Sequence, residues 1–295
     1  KLAEYVRDAE AALNSMTVDS TGVPKKTYGA DREASGPRTY TLTVGEEKID
    51  LSQKNLGSAD VVLVAAWLQR PEVSAVLEVL AVGNNPIGSE GGSALVAAVK
   101  TSNLKIIDVG KPLPVQEPYE SQTLDVSHTE MGPGQVVILS WWLATPFSAV
   151  LASLNVKGNM ITGSQRDSST NWQWQYDLDL SGFSALCQVL GRLNEVNLSD
   201  CHLGPASMPE LAKVFRDASA ALASLNVSDN DSITGKRVND RRTAYVYAEQ
   251  LEGWTTLCSA IGTTPSITEF DCSMCGLTPP ALAPLTEAIK VNAAV

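Results

Sequence analysis

The block SAVLASLNVKGNMITG at 148–163 returns as SAALASLNVSDNDSITG at 219–235, setting Leu154 against Leu225 at an offset of 71. FSALCQVL (183–190) and WTTLCSAI (254–261) keep that offset, and SAVLEVLAVGNNPIG (74–88) is an earlier copy, with Leu80 preceding Leu154 by 74. A second series runs between these blocks: IDLS at 49, LDVS at 124, VNLS at 196 and FDCS at 270, followed in three cases by Gly57, Gly132 and Gly204. The chain is thus a super-repeat, two smaller units to each copy, with copies at about 48–122, 123–194 and 195–266. Partial copies fill 1–47 and 267–295, and the whole of 1–295 reads as one repeat domain. No such unit can bury its apolar face alone, so the copies must stack.

The smaller unit is apolar at its first, fourth and sixth positions, has Asn or Cys at the ninth and is apolar at the eleventh. Leu77, Leu80, Val82, Asn85 and Ile87 obey it, as do Leu151, Leu154, Val156, Asn159 and Ile161. Leu193, Val196, Leu198, Cys201 and Leu203 do so too, and Ile267, Phe270, Cys272, Cys275 and Leu277. Alternation about the fourth and sixth positions makes a short strand with one buried face. The ninth side chain turns inward, where it can bond backbone groups otherwise stranded in the core. Return helices are expected at 59–69, 135–145 and 209–219, each after a Gly or Pro turn and apolar at i, i+3 and i+4. At least one Trp in each of the first two (Trp67; Trp141, Trp142) belongs to the core. LKIIDVGKPLP (104–114) looks like a further unit, too close upstream of LDVS for a helical return, which leaves open whether it joins the sheet.

The pattern resembles the leucine-rich repeat family, L-x-x-L-x-L-x-x-N/C-x-L, over most of 13–290. The Cys variants and the spacing from one basic unit to the next are similar to its ribonuclease-inhibitor-like class. That resemblance implies an α/β fold: a curved horseshoe segment of solenoid, a parallel β-sheet on the concave face, helices on the convex face, and partners that are proteins. Leu13, Met16, Val18, Thr21 and Val23 fit the template as a first, incomplete unit, and LAPLTEAIKVNAAV reads as a closing return helix. Neither end carries an evident polar cap, and the chain opens without Met on KLAEYVRDAEAAL, which leaves open a removed targeting segment.

Composition narrows the function. Formal charge is −11, which disfavours a generic nucleic-acid binder, and the longest apolar run, 61–68, is too short for a membrane span. Five Cys, an odd count, points to a reducing compartment rather than a disulfide framework. Cys272 and Cys275 form C-S-M-C, but both occupy template positions and read as structural thiols, like the matched helix residues Cys187 and Cys258. The two His, His128 and His202, follow strands and lie in no metal or catalytic frame. GSEGGS (88–93) matches no phosphate loop and reads as a turn. Triplets N-x-S/T at Asn197, Asn226 and Asn230 fall on strands or the inward ladder, positions unsuited to glycosylation. No catalytic, cofactor or metal residues are assigned.

Three features could bind a partner. Between the two strand apolars stand Asp50, Asp125, Asn155, Asn197, Asn226 and Asp271, an outward polar row suited to a basic surface, with a Ser column two places on (Ser52, Ser127, Ser199, Ser228, Ser273). The same residues also suit simple solvation of a sheet face. Matched insertions at 164–180 and 236–251 end in alternating aromatics, Trp172, Trp174 and Tyr176, then Tyr245 and Tyr247, the pattern of a β-ribbon. TYTLT (39–43) resembles a reduced version. Such aromatics either anchor an interface or fold back over the repeat edge. Lys236, Arg237, Arg241 and Arg242 cluster on the second insertion, where they could pair with carboxylate or phosphate or remain plain surface. The expectation is a non-enzymatic scaffold that binds a protein through the concave face and insertions. The alternatives are a structural subunit of a larger assembly, or a regulator like the GTPase-activating protein of Ran, with Arg241 as its loop arginine.

Overall fold

The computed structural model describes residues 1–7, 13–22, 37–167, 173–215, 221–235 and 249–292. They form two compact units, one from 1–119 with 129–149, the other from 120–128 with 150–295. Both are mixtures of helices and short strands, with a run of parallel rungs in each, as the periodicity requires.

In the first unit the chain runs α1 (Leu2–Arg7), β1 (Ser15–Asp19), β2 (Thr39–Thr43), β3 (Lys48–Asp50), α2 (Ser58–Leu68), α3 (Pro71–Ser74), β4 (Val79–Ala81), α4 (Gly88–Val99), β5 (Ile106–Asp108) and β6 (Pro112–Pro114). β7 (Thr123–Asp125) opens the sheet of the second unit, and α5 (Pro133–Leu143) belongs to the first. Strands β3, β4 and β5 are parallel, with Ile49, Leu80 and Ile107 in register and buried. β6 turns back antiparallel to β5. Residues 104–114 therefore supply one parallel rung and one reversed strand. Val115 N donates to Lys105 O (2.8 Å) and Val109 N to Lys111 O (3.3 Å), so odd-numbered residues of β6 bond to β5. The free side would carry the amides of 112 and 114, but both are proline and have none.

The first expected rung differs. Ser15–Asp19 pairs antiparallel with Thr39–Thr43, Met16 opposite Leu42 and Val18 opposite Tyr40. Alternation of apolar residues fixes which face is buried but not strand direction. Here Tyr40 and Leu42 turn inward. Outward lie Ser15, Thr17, Asp19, Thr39 and Thr41, with Thr17 and Thr41 hydroxyls 2.9 Å apart and Thr39 Oγ1 donating to Asp19 at 2.7 Å.

The return helices α2 and α5 lie close to where they are expected, and Trp67 and Trp142 are buried. Trp142 Nε1 donates to Pro114 O (2.7 Å), and its ring meets Tyr119 edge-on with centroids 5.4 Å apart. GSEGGS is not a turn but the first half of α4. Its glycines admit close helix contact: a Cβ on Gly92 would stand 2.3 Å from Gly134 O, and one on Gly134 2.1 Å from Gly88 O.

The second unit continues with β8 (Ser153–Asn155), β9 (Gln165–Asp167), β10 (Gln173–Gln175), α6 (Ser181–Leu190), β11 (Glu195–Asn197), α7 (Ser207–Ala212), β12 (Ser224–Asn226), α8 (Leu251–Gly262), β13 (Glu269–Asp271) and α9 (Pro279–Val291). Its five-stranded parallel sheet has the order β13-β12-β11-β8-β7. Leu124, Leu154, Val196, Leu225 and Phe270 form one register column. Helix residues Phe183, Leu186, Cys187, Trp254, Leu257 and Cys258 complete the core. α7 runs on as a 3-10 turn to Phe215, shorter than the helix expected at 209–219, of which 216–219 lie outside the described residues.

The ninth position does what its inward place demands. Asn159 Nδ2 donates to Val126 O and Val156 O, both at 2.8 Å, joining its own turn to the preceding rung. Asn85 does the same toward Leu51 O (2.8 Å) and Val82 O (3.0 Å). Where Cys replaces Asn, the thiol bonds back instead: Cys201 Sγ to Val156 O (3.3 Å), Cys275 Sγ to Val227 O (3.1 Å).

Candidate partner-binding surface

The outward row assembles within the second unit. Asp125, Asn155, Asn197, Asn226 and Asp271 occupy consecutive register positions across five strands, about 4.8 Å from one to the next. Asp50 lies in the other sheet, beside Ala81 and then Asp108. Each side chain in the row accepts from the N–H two places on. Asp125 takes Ser127 N (2.9 Å), Asn155 Lys157 N (3.1 Å), Asn197 Ser199 N (2.9 Å), Asn226 Ser228 N (2.8 Å) and Asp271 Ser273 N (2.9 Å). Asp50 does so with Ser52 N (3.0 Å), and that bond holds its carboxyl below the usual range. Asp108, absent from the sequence-derived set, caps its own strand through Gly110 N at 2.8 Å. These Asx turns explain why Asp or Asn recurs at this place, with Ala81 the exception, and they hold the side chains of the row in place. Its middle three members are neutral amides, with carboxylates at both ends.

Beyond the turn lies a second regularity that residue types concealed. Gln53, Asn84, His128, Asp200, Asp229 and Met274 all have φ between 53° and 59°. Each immediately precedes the ninth position, and where Asn85, Cys201, Asn230 or Cys275 follows, that residue is buried. Gly158 shares the place at φ 71°.

The first insertion is a β-ribbon: β9 pairs antiparallel with β10, Trp174 opposite Arg166. It folds back over the turns of later rungs. Trp174 stacks on His202 with ring centroids 3.9 Å apart and planes at 25°. Tyr176 OH donates to Asp231 Oδ1 (3.2 Å). Ser164 Oγ donates to His202 O (2.7 Å) and accepts from Asp177 N (3.0 Å). Asp177 then accepts from Gly204 N (3.0 Å) and Ser207 N (2.9 Å) at the start of α7. Burial pushes the Asp177 carboxyl above the ordinary range, opposed by those N–H groups.

The same role is filled locally elsewhere. Asp60 accepts from Gly57 N (2.8 Å) at α2, and also from Thr21 N and Oγ1, each at 2.7 Å; Gln135 accepts from Gly132 N (3.1 Å) at α5. The third residue after Gly204 is Ser207, which lacks a carboxylate or amide, and the ribbon supplies the missing one. Glu249, near the end of the second insertion, accepts from Thr278 Oγ1 at the entrance of α9. Trp172, Lys236, Arg237, Arg241, Arg242, Tyr245 and Tyr247 lie outside the described residues.

All five thiols are free, and Cys272 is the one in partial contact with solvent. Burial pushes Cys201, Cys258 and Cys275 up to about 12, and raises Cys187 and Cys272 as well. Iodoacetamide on the native chain should therefore label Cys272 first, about tenfold ahead of Cys201 and Cys275. Peptide mass spectrometry of timed samples reads the order, and equal rates would contradict the burial.

Residues 73–96 match the Leucine Rich repeat family model, a segment that holds Leu77, Leu80, Val82, Asn85 and Ile87 and covers β4 and most of α4. No curated protein matches the chain. Among the described residues no helix is long and apolar enough to cross a membrane.

Proposed function

We propose that this leucine-rich repeat protein is a non-enzymatic scaffold of ribonuclease-inhibitor-like solenoid form, whose sheet face and ribbons hold a protein partner. Leucine-rich repeats commonly mediate protein–protein contact. The observation that carries the reading is the Asp125–Asn155–Asn197–Asn226–Asp271 row, whose side chains are already fixed by turn hydrogen bonds. A partner docking there orders little that is not ordered already, so less of the contact energy is spent on immobilisation. Acidic ends, Glu195 and Glu269 beside the row, and the overall charge of −11 favour a basic partner surface. The five free thiols fit a reducing compartment.

A photo-crosslinking residue at Asn197 identifies the partner, and the purified pair then gives a dissociation constant. Asn197→Arg, which places a long cation at the centre of the row, is expected to weaken binding about tenfold or more, with a modest fall in melting temperature from the loss of its bond to Ser199 N. Unaltered affinity in that variant would remove the sheet face from the reading.

A further inference from the structure

Each inner rung of the second unit passes two hydrogen bonds to the next. Val126 N and His128 N donate to Asn155 O and Lys157 O, and Val156 N and Gly158 N to Asn197 O and Ser199 O. Leu198 N and Asp200 N donate to Asn226 O and Ser228 O, and Val227 N and Asp229 N to Asp271 O and Ser273 O. The same two donors on β13, at the edge of the sheet, are Cys272 N and Met274 N, and among the described residues nothing accepts from them. Farther in, Cys201 N and Leu203 N share Asn230 Oδ1, and Leu56 N uses Asn85 Oδ1, in each case from the following rung. The matching pair on the β13 rung, Cys275 N and Leu277 N, has no acceptor among the described residues, although Cys275 is only 1% exposed. A buried N–H without a partner is costly. The apolar side is unfinished as well: Phe270, Cys272 and Leu277 are half-buried where Val196, Leu198 and Leu203 are buried. On α9, Leu282 and Ile289 share a face and stand exposed beside half-buried Leu285. No proline blocks this edge as one does on β6.

We infer that the free edge of β13 is a docking site for a parallel strand of a partner protein, apolar at two alternate places, with an asparagine three residues after the second. Two carbonyls of that strand accept from Cys272 N and Met274 N, and the asparagine Oδ1 accepts from Cys275 N and Leu277 N. Its apolar pair covers Phe270 and Cys272. The occupant is read from the contact between β12 and β13, which it continues by one place. This is strand addition: main-chain bonds supply affinity, and the asparagine supplies selectivity because only an acceptor at that depth relieves the buried amide. The surface is separate from the outward polar row and does not depend on it.

The probe is the acetylated and amidated peptide LASLNVKGNMIT, the 151–162 segment of this chain, which carries that pattern with Asn159. Titrated into the 15N-labelled chain, it should shift the amide signals of Cys272, Met274, Cys275 and Leu277 and slow their hydrogen exchange about tenfold at saturation. The same peptide with Asn159→Leu, more apolar but lacking the acceptor, should bind about fivefold more weakly. Cys272→Lys in the chain, which puts a charge on the edge, should weaken the parent peptide about tenfold. Asn197→Arg should leave peptide affinity unchanged, so failure here and failure of the scaffold reading are told apart. Equal binding of the two peptides, or shifts confined to the outward row, overturns the inference. So does protection of Cys272 N that rises with chain concentration in the absence of peptide, which assigns the edge to a second copy of the chain instead.

Discussion

Asn230→Leu is expected to destabilise the second unit by about 4 kcal/mol, a large loss for a substitution that leaves the surface untouched. Asn230 is fully buried. Its Nδ2 donates to Leu198 O (3.0 Å), Val227 O (2.8 Å) and Ser228 O (3.2 Å), and its Oδ1 accepts from Cys201 N (3.1 Å) and Leu203 N (2.9 Å). Leucine fills the space and satisfies none of these groups. Each buried orphan costs roughly 1–3 kcal/mol, partly relieved by local shifts. Asn230→Cys should cost less, about half, because Cys201 and Cys275 show that a thiol can serve this position with one bond to the preceding rung. Urea unfolding monitored by circular dichroism checks both. A leucine variant as stable as the parent would show that the inward amide does not hold the rungs together.

Asp177→Ala is expected to destabilise by about 2–3 kcal/mol, although the residue belongs to an insertion. Its carboxylate holds Gly204 N and Ser207 N at the entrance of α7, so removal strands two amides far along the chain. The pH dependence has a definite sign. The folded carboxyl titrates above its ordinary value because of burial, so the native state binds the proton more tightly than the unfolded chain. Its contribution is then greatest below the ordinary carboxylate range near pH 4 and declines as pH rises through the raised folded value. The stability gap between parent and variant should narrow from about pH 4 to pH 7. A gap that widens over that interval would mean that hydrogen bonding, not burial, governs this group.

Much of this is legible in the chain without any coordinates, and the reason is burial. Leu154, Val196 and Leu225 repeat because each must enter the same core, and Asn159 or Cys201 recurs because each must serve the same stranded carbonyls. What stays hidden depends on partners distant in sequence or on backbone angles. Met16 and Val18 alternate equally well for a parallel or an antiparallel neighbour, and only Tyr40 and Leu42 decide between them. The glycines at 88–92 read as a turn because close packing against Gly134 is invisible locally. The outward Asp and Asn residues stand out as candidates for binding, and the structure adds that each also closes its own turn. The aromatic alternation foretells the ribbon, but where Trp174 rests is set by His202, well downstream.

A ladder of near-identical rungs has no natural stopping place, since every edge offers the next strand the same welcome. Pro112 and Pro114 write a full stop into this one: the outer rim of their strand has no donor at either position, and the carbonyl of Pro114 is already taken by Trp142. Misregistered copies, whether from this chain while it folds or from a neighbour in a crowded cell, find no template there on which to zip up. The interruption that looks like a flaw in the periodicity thus guards a repetitive chain against runaway self-association along that margin.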